Sequence, residues 1–212
     1  MSDSQLKAYN DLKDLYSIPY SLDPLDYSHY FPGMENIVLE VGFGMGDATH
    51  VIAAENPDTG YIGVEVHKPG IGKLLRELHL KNLKNLRIIE HDAVEVLGRM
   101  IPPESLSGVH VFFPDPWQKN RHRKRRLIQS PLVRKLVTVL KPGGYLYVVT
   151  DWEDYAKQIL RVLSDEEELI NSYPGYADPQ DWRPQTKFEM KGKNKNHRIR
   201  EFLFRKGVDL EE

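Results

Sequence analysis

Cysteine is absent from all 212 residues, which excludes disulfides, thiolate nucleophiles and thiolate-ligated zinc together. The sequence also lacks any apolar run near the roughly 18 residues that a membrane-spanning helix needs. Its start, MSDSQLKAYNDL, shows no cationic segment leading into an apolar core. The expectation is therefore a cytoplasmic protein with no secretory signal and no membrane partner. A strong charge imbalance is missing too. The formal net charge is −2, so the chain as a whole is not a basic nucleic-acid binder, and any cationic site has to be local. Internal repeats, low-complexity tracts and an evident linker are also lacking. With 40% hydrophobic residues, the composition predicts a single domain over residues 36–212, with residues 1–35 packing on or flanking it.

What is present is a rhythm. A helix is predicted from about Leu6 to Tyr16, and Asp23-Pro24 and Phe31-Pro32-Gly33 mark turns between it and the first strand. Strands are predicted at Ile37–Val41, Tyr61–Val66, Leu86–Glu90, Val109–Phe113 and Tyr145–Val149. Helices are predicted between and after them, at 47–55, 69–82, 93–100, 130–140 and 153–164, with Lys141-Pro142-Gly143-Gly144 as the terminator of the fourth. Such alternation implies right-handed βαβ units and a doubly wound, mostly parallel α/β sheet covered on both faces. Two further strands, Glu168–Tyr173 and Arg200–Arg205, come without a crossover helix and are expected as an antiparallel edge.

The most informative stretch is Val109–Arg126, VHVFFPDPWQKNRHRKRR. A buried strand breaks at Pro114-Asp115-Pro116, where two prolines around one acid can continue neither a central strand nor a helix. Trp117 comes next, and then six of the eight residues from Lys119 to Arg126 are Lys or Arg. Packed cations repel one another, and binding a polyanion relieves this. Lys119, Arg121, Arg123, Lys124, Arg125 and Arg126 are therefore candidate phosphate contacts. A second cationic cluster spans Lys187 to Arg200.

After the first strand, Gly42, Gly44 and Gly46 form G-x-G-x-G, which differs from the G-x-G-x-x-G of dinucleotide enzymes. Glycines there let backbone approach a ligand closely. Glu65 nearly ends the second strand, where a carboxylate can accept from the two hydroxyls of a ribose. Asp92 ends the third, a place where an acid could accept from an adenine amino group. Glu40 lies inside an apolar strand, which is costly unless a ligand or a buried Lys or Arg faces it. With Asp115, four acids end or nearly end the first four strands, where ligands bind in open α/β sheets. An acidic rim disfavours a phosphate-rich cofactor such as NAD and suits a cationic one such as S-adenosylmethionine. The eight histidines show no metal-ligand spacing, so no metal is expected.

Together LEVGFGMG (39–46), GVEVH (63–67), HDAVEVL (91–97), FFPDPWQKNRHRKRR (112–126), TDWEDYA (150–156) and TKFE (186–189) closely resemble the bacterial tRNA (guanine-N7)-methyltransferases. The resemblance implies a class I S-adenosylmethionine-dependent methyltransferase fold, seven-stranded with the last strand antiparallel, acting on a guanine in the variable loop of tRNA. It implies that Glu40, Glu65, Asp92 and Asp115 are cofactor-site acids, with Asp115 also catalytic. Lys119, Asp151 and the segment Thr186, Lys187, Phe188, Glu189 would contact substrate. Trp117 or Phe188 is a candidate to stack on the base. No obligate protein partner is expected, so the chain would act as a monomer or homodimer. Three competing readings remain at this point. An S-adenosylmethionine-dependent enzyme acting on another nucleobase position, such as an adenine or cytosine amine, would want a second proline before the aromatic. An NAD-dependent oxidoreductase would want different glycine spacing. A non-catalytic RNA-binding protein would not need intact acids at four strand ends.

Overall fold

The computed structural model describes residues 1–186, 189–190 and 198–208. Lys187, Phe188 and most of the second cationic cluster lie outside the described residues. The chain divides into two compact units, residues 1–102 with 181–184, and residues 103–180 with 185–212. Seven strands are ordered β3-β2-β1-β4-β5-β7-β6.

In the first unit, β1 (Asn36–Val41), β2 (Thr59–Glu65) and β3 (Leu86–Glu90) are parallel, with Leu39 opposite Ile62 and Val64 opposite Ile89. Five consecutive residues of β1 are buried, as expected of a parallel strand covered on both faces. Two more helices open this unit, α1 (Asp3–Tyr16) and α2 (Tyr27–Tyr30), and the crossovers are α3 (Thr49–Glu55), α4 (Lys68–Leu80) and α5 (Ala93–Arg99).

Helix α1 starts three residues earlier than its apolar pattern suggests, because Ser2 and Gln5 form a reciprocal capping box. It packs along α4, where Gly72 meets the Gln5 carbonyl so closely that a Cβ would overlap it. The Tyr9 hydroxyl donates to Glu90 at 2.6 Å, and the Lys13 ammonium pairs with the same carboxylate. Beyond α1, the Ile18 amide donates to the Ile88 carbonyl at 2.8 Å. The N-terminal segment is thus fastened to β3 through both side chains and backbone.

In the second unit, β4 (Leu106–Phe112) runs parallel to β5 (Leu140–Thr150). Strand β7 (Arg200–Lys206) is antiparallel to both β5 and the short β6 (Leu169–Asn171), as the unconnected tail strands suggested. Helix α6 is Ser130–Val139 and α7 is Glu153–Ser164, while a 3-10 turn covers Asn120–Arg125. One expectation fails in detail. The 141–144 segment ends α6 but does not separate it from the next strand, since β5 starts at Leu140. Pairing goes from Leu106–Leu140 straight to Gly108–Tyr145, so 141–144 bulge opposite Ser107. Gly143, at φ +75°, makes the bulge possible. The Arg205 guanidinium secures it by donating to the Gly143 carbonyl at 3.1 Å.

Candidate active site

In the first unit the backbone turns sharply after β1. Gly42, Gly44 and Gly46 all have positive φ, at +70°, +57° and +69°, conformations that cost about 1–2 kcal/mol with any Cβ. Glu65 holds this loop. One of its carboxylate oxygens accepts from the Gly44 amide at 2.8 Å, and the other accepts from the Val66 and His67 amides at 2.7 and 3.0 Å. A carboxylate offers about four acceptor positions. Three are therefore filled by backbone, leaving room for one ligand hydroxyl rather than the two that the sequence suggested. Helix α4 presses on the same loop from behind. At Gly70 a Cβ would overlap the Gly44 carbonyl oxygen. Nothing in the sequence pattern singled out Gly70, although its place in a Pro-Gly-Ile-Gly run at a helix start was a usable sign.

Glu40 is buried, and its pKa is pushed up to about 7. Burial is the largest cause, the nearby Thr49 hydroxyl offsets part of it, and the Glu65 carboxylate adds to it. Thr49 Oγ1 approaches Glu40 without completing a hydrogen bond of ordinary geometry. Among the described residues no Lys or Arg pairs with Glu40, so no cation of the protein offsets the burial of this acid inside an apolar strand.

Asp92 is exposed and caps α5, with one oxygen accepting from the Val94 and Glu95 amides at 2.8 and 3.2 Å. Beside it Tyr20 stacks on His91 at 3.6 Å, and the His91 Nε2 meets the Glu95 carboxylate. Tyr20 was invisible as a site neighbour, because a lone tyrosine in an irregular segment carries no periodic signal.

In the second unit, β4 ends against β5 with the Phe113 amide donating to the Val149 carbonyl at 2.8 Å. Phe113 and Trp117 both adopt positive φ, +49° and +42°. For bulky side chains these are strained, at roughly 1–3 kcal/mol each, and such strain clusters at functional sites. Between them Asp115 is exposed. The Trp117 ring is half-buried, with the Arg125 guanidinium over it at 5.1 Å and the His122 ring edge-on at 5.8 Å.

The basic run does not act as one surface. Lys119, Arg121, Arg123, Lys124 and Arg125 are exposed, although Arg123 pairs with Asp154 at 3.2 Å. Arg126 has to be removed from the phosphate-contact set. It is 2% exposed, donating from Nε to the Pro116 carbonyl at 2.7 Å, from Nη1 to Gln158 at 2.7 Å and from Nη2 to Asp154 at 2.6 Å. With each of its three nitrogens donating inside the protein and the side chain buried, this guanidinium is out of reach of a phosphate. Asp151 and Thr186 are half-buried and Glu189 is buried. The Thr186 hydroxyl accepts from the Glu189 amide at 3.2 Å. No group of three His, Cys, Asp or Glu among the described residues could hold a metal ion.

The strand order and the glycine loop define a class I methyltransferase fold. The 16S rRNA methyltransferase KamB superposes with a TM-score of 0.65 at 15% identity, covering 91% of this chain and 99% of that one. A phosphoethanolamine N-methyltransferase of Haemonchus contortus, solved with S-adenosyl-L-methionine, gives 0.51 at 14% identity, over 86% of this chain and 51% of that one. Residues 34–202 match a family described as "Putative methyltransferase". The tRNA (guanine-N(7)-)-methyltransferase of Ralstonia pickettii is 51% identical over 97% of this chain and 80% of its own length. That of Nitrosospira multiformis is 50% identical over 97% and 90%. The chain belongs to the tRNA (guanine-N7)-methyltransferase family, whose cofactor is S-adenosylmethionine.

Proposed function

We propose that the chain transfers a methyl group from S-adenosylmethionine to N7 of a guanine in the variable loop of tRNA, in the cytoplasm. The observation that carries this reading is the segment 114–126. It presents an exposed carboxylate, Asp115, on a backbone fixed by two prolines and a buried arginine, continuing at once into a turn of exposed cations.

The residues of the first unit fit the cofactor. Glu40 is a buried acid with no cationic partner among the described residues, and suits a ligand carrying positive charge. Glu65 keeps one acceptor position for a ribose hydroxyl, and Asp92 keeps the oxygen not used in capping for an adenine amino group. The loop of Gly42, Gly44 and Gly46 lets backbone approach closely. When bound, S-adenosylmethionine supplies a methyl group on a sulfonium.

Guanine N7 carries an in-plane lone pair, so no residue has to remove a proton from it. The work left to the protein is to orient the base and exclude water. Asp115 supplies a carboxylate that accepts from the guanine N1–H and amino group, or that stabilises the positive charge growing on the imidazole ring. The first role selects guanine and the second lowers the barrier. Lys119, Asp151 and the segment 186–189 complete the contacts to the nucleotide, and Arg121, Lys124 and Arg125 hold phosphates of the tRNA.

Incubation with radiolabelled S-adenosylmethionine and unmodified tRNA, with nucleoside analysis of the product and of its isolated variable-loop fragment, tests the reading. Label in 7-methylguanosine from the variable loop, lost on Asp115→Ala, is the expected result. Label in another nucleoside would overturn the position assigned, and a wild-type rate for Asp115→Asn would overturn the role of Asp115.

A further inference from the structure

The Asp115 side chain is exposed, so its direction depends on how the backbone beneath it is held. The rings of Pro114 and Pro116 fix φ on both sides of it. Upstream, Phe113 is tied to β5 through the Val149 carbonyl. Downstream, the chain is anchored at the Pro116 carbonyl, which accepts from Arg126 Nε at 2.7 Å. The guanidinium is itself fixed on three sides. It bonds Gln158 and Asp154 of α7 at 2.7 and 2.6 Å, and it lies 4.8 Å from the centre of the Tyr155 ring. Helix α7 is in turn locked to the chain just past the basic turn. The Tyr155 hydroxyl accepts from the Ile128 amide at 2.9 Å, and the Gln158 amide donates to the Ile128 carbonyl at 3.2 Å.

From this geometry we infer that Arg126 is a positioning residue for Asp115, acting through the Pro116 carbonyl, and not a contact to tRNA. The inference rests on the role proposed for Asp115. It divides the basic run in two. The exposed members hold the polyanion, while the last one faces inward and couples the acid-bearing loop to α7. Only arginine suits the inner position, because its planar fork can serve three acceptors in different directions, whereas a lysine ammonium is a point charge on a flexible stem. Asp154 links the two parts, since it also meets the exposed Arg123 at 3.2 Å.

The test compares Arg126→Lys, Arg126→Gln and Asp154→Asn with Lys124→Ala and Asp115→Asn. For each, kcat, KM for tRNA, the salt dependence of tRNA binding and the melting temperature are measured. Arg126→Lys is expected to lower kcat about tenfold or more, the scale of a misplaced reacting group. Its tRNA affinity and salt slope should stay within about twofold of wild type, because no phosphate contact is lost. Lys124→Ala should instead reduce the salt slope by nearly one unit, as a lost phosphate contact does.

A flattened salt slope and weakened tRNA binding in Arg126→Lys, with kcat unchanged, would make Arg126 a phosphate contact and overturn the inference. A lower melting temperature with unchanged kcat per folded molecule would reduce it to scaffolding and overturn it equally. If the Arg126 variants do not fold, Asp154→Asn and Gln158→Ala carry the same criteria. Slow Asp115→Asn beside wild-type Arg126→Lys defeats this inference alone, whereas wild-type Asp115→Asn defeats the reading beneath it.

Discussion

Glu40 illustrates what a single residue can hold in reserve. Burial raises its pKa to about 7, so near neutral pH the site contains a mixture of protonated and charged acid. A cationic ligand binds the charged form, which means that binding releases a proton and strengthens as pH rises through 7. Cofactor affinity measured by calorimetry should be about tenfold weaker at pH 6 than at pH 8, with proton release visible in buffers of different ionisation enthalpy. Glu40→Gln removes a buried charge and is expected to raise stability at pH 8 by about 1–3 kcal/mol while losing most cofactor affinity, a trade between stability and function. An affinity independent of pH would show that Glu40 does not face the ligand. The oddity of Glu40 was legible in the sequence, since an acid interrupting an apolar strand is conspicuous. Arg126 was not legible, because six cations within eight residues look alike until the fold turns one of them inward.

At the scale of elements, the glycine loop is shaped by its neighbours more than by its own residues. Helix α4 touches it through Gly70, and α1 touches α4 through Gly72. Gly70→Ala cannot be absorbed by a flexible side chain, because the obstacle is the Gly44 carbonyl. The loop has to move, and cofactor affinity should fall at least tenfold while tRNA binding persists, measured by titration of each ligand separately. Gly72→Ala meets the Gln5 carbonyl instead, and should lower the melting temperature by displacing α1 with a smaller effect on cofactor binding. Neither glycine was legible as a contact, since close approach between elements leaves no trace in local periodicity. Element types were legible wherever period and punctuation agreed, with β3 and α7 beginning and ending as predicted. The 141–144 segment misled because Pro-Gly signals a break in the chain, and a bulge inside a strand satisfies that signal as well as a loop does.

For the whole molecule, the alternation of strands and helices carried the architecture, and the lack of a crossover helix near the end correctly marked β7 as antiparallel. The fold also places titratable groups where no local pattern announced them. His110 on β4 is buried, stacked on Phe112 at 5.1 Å and bonded to the Tyr145 hydroxyl at 2.9 Å, and its pKa is pushed down to about 3 by burial. Glu201 on β7 accepts from the Tyr147 hydroxyl, and burial pushes its pKa up to about 7. These groups act on stability with opposite signs. Glu40 and Glu201 bind protons more tightly folded than unfolded, so their contribution is intact below about pH 4.5 and is lost as pH rises towards 7. His110 binds its proton less tightly folded, so its contribution is intact above about pH 6.5 and is lost as pH falls towards 3. Between pH 4.5 and 6.5 two protons favour the folded state against one favouring the unfolded, and stability declines gently with rising pH. Below pH 4.5 the histidine acts alone among the three, joined by carboxylates held low by partners, such as Asp154 beside Arg126, and stability falls with added acid. The cofactor-free chain should therefore melt highest near pH 5 rather than at neutrality, by thermal denaturation across pH 4–8. Glu201→Gln should flatten the decline between pH 5 and 7.5, and bound cofactor should flatten it further by drawing the Glu40 proton off. A melting temperature that rises steadily from pH 5 to 8 would show that neither carboxylate holds its proton in the folded chain.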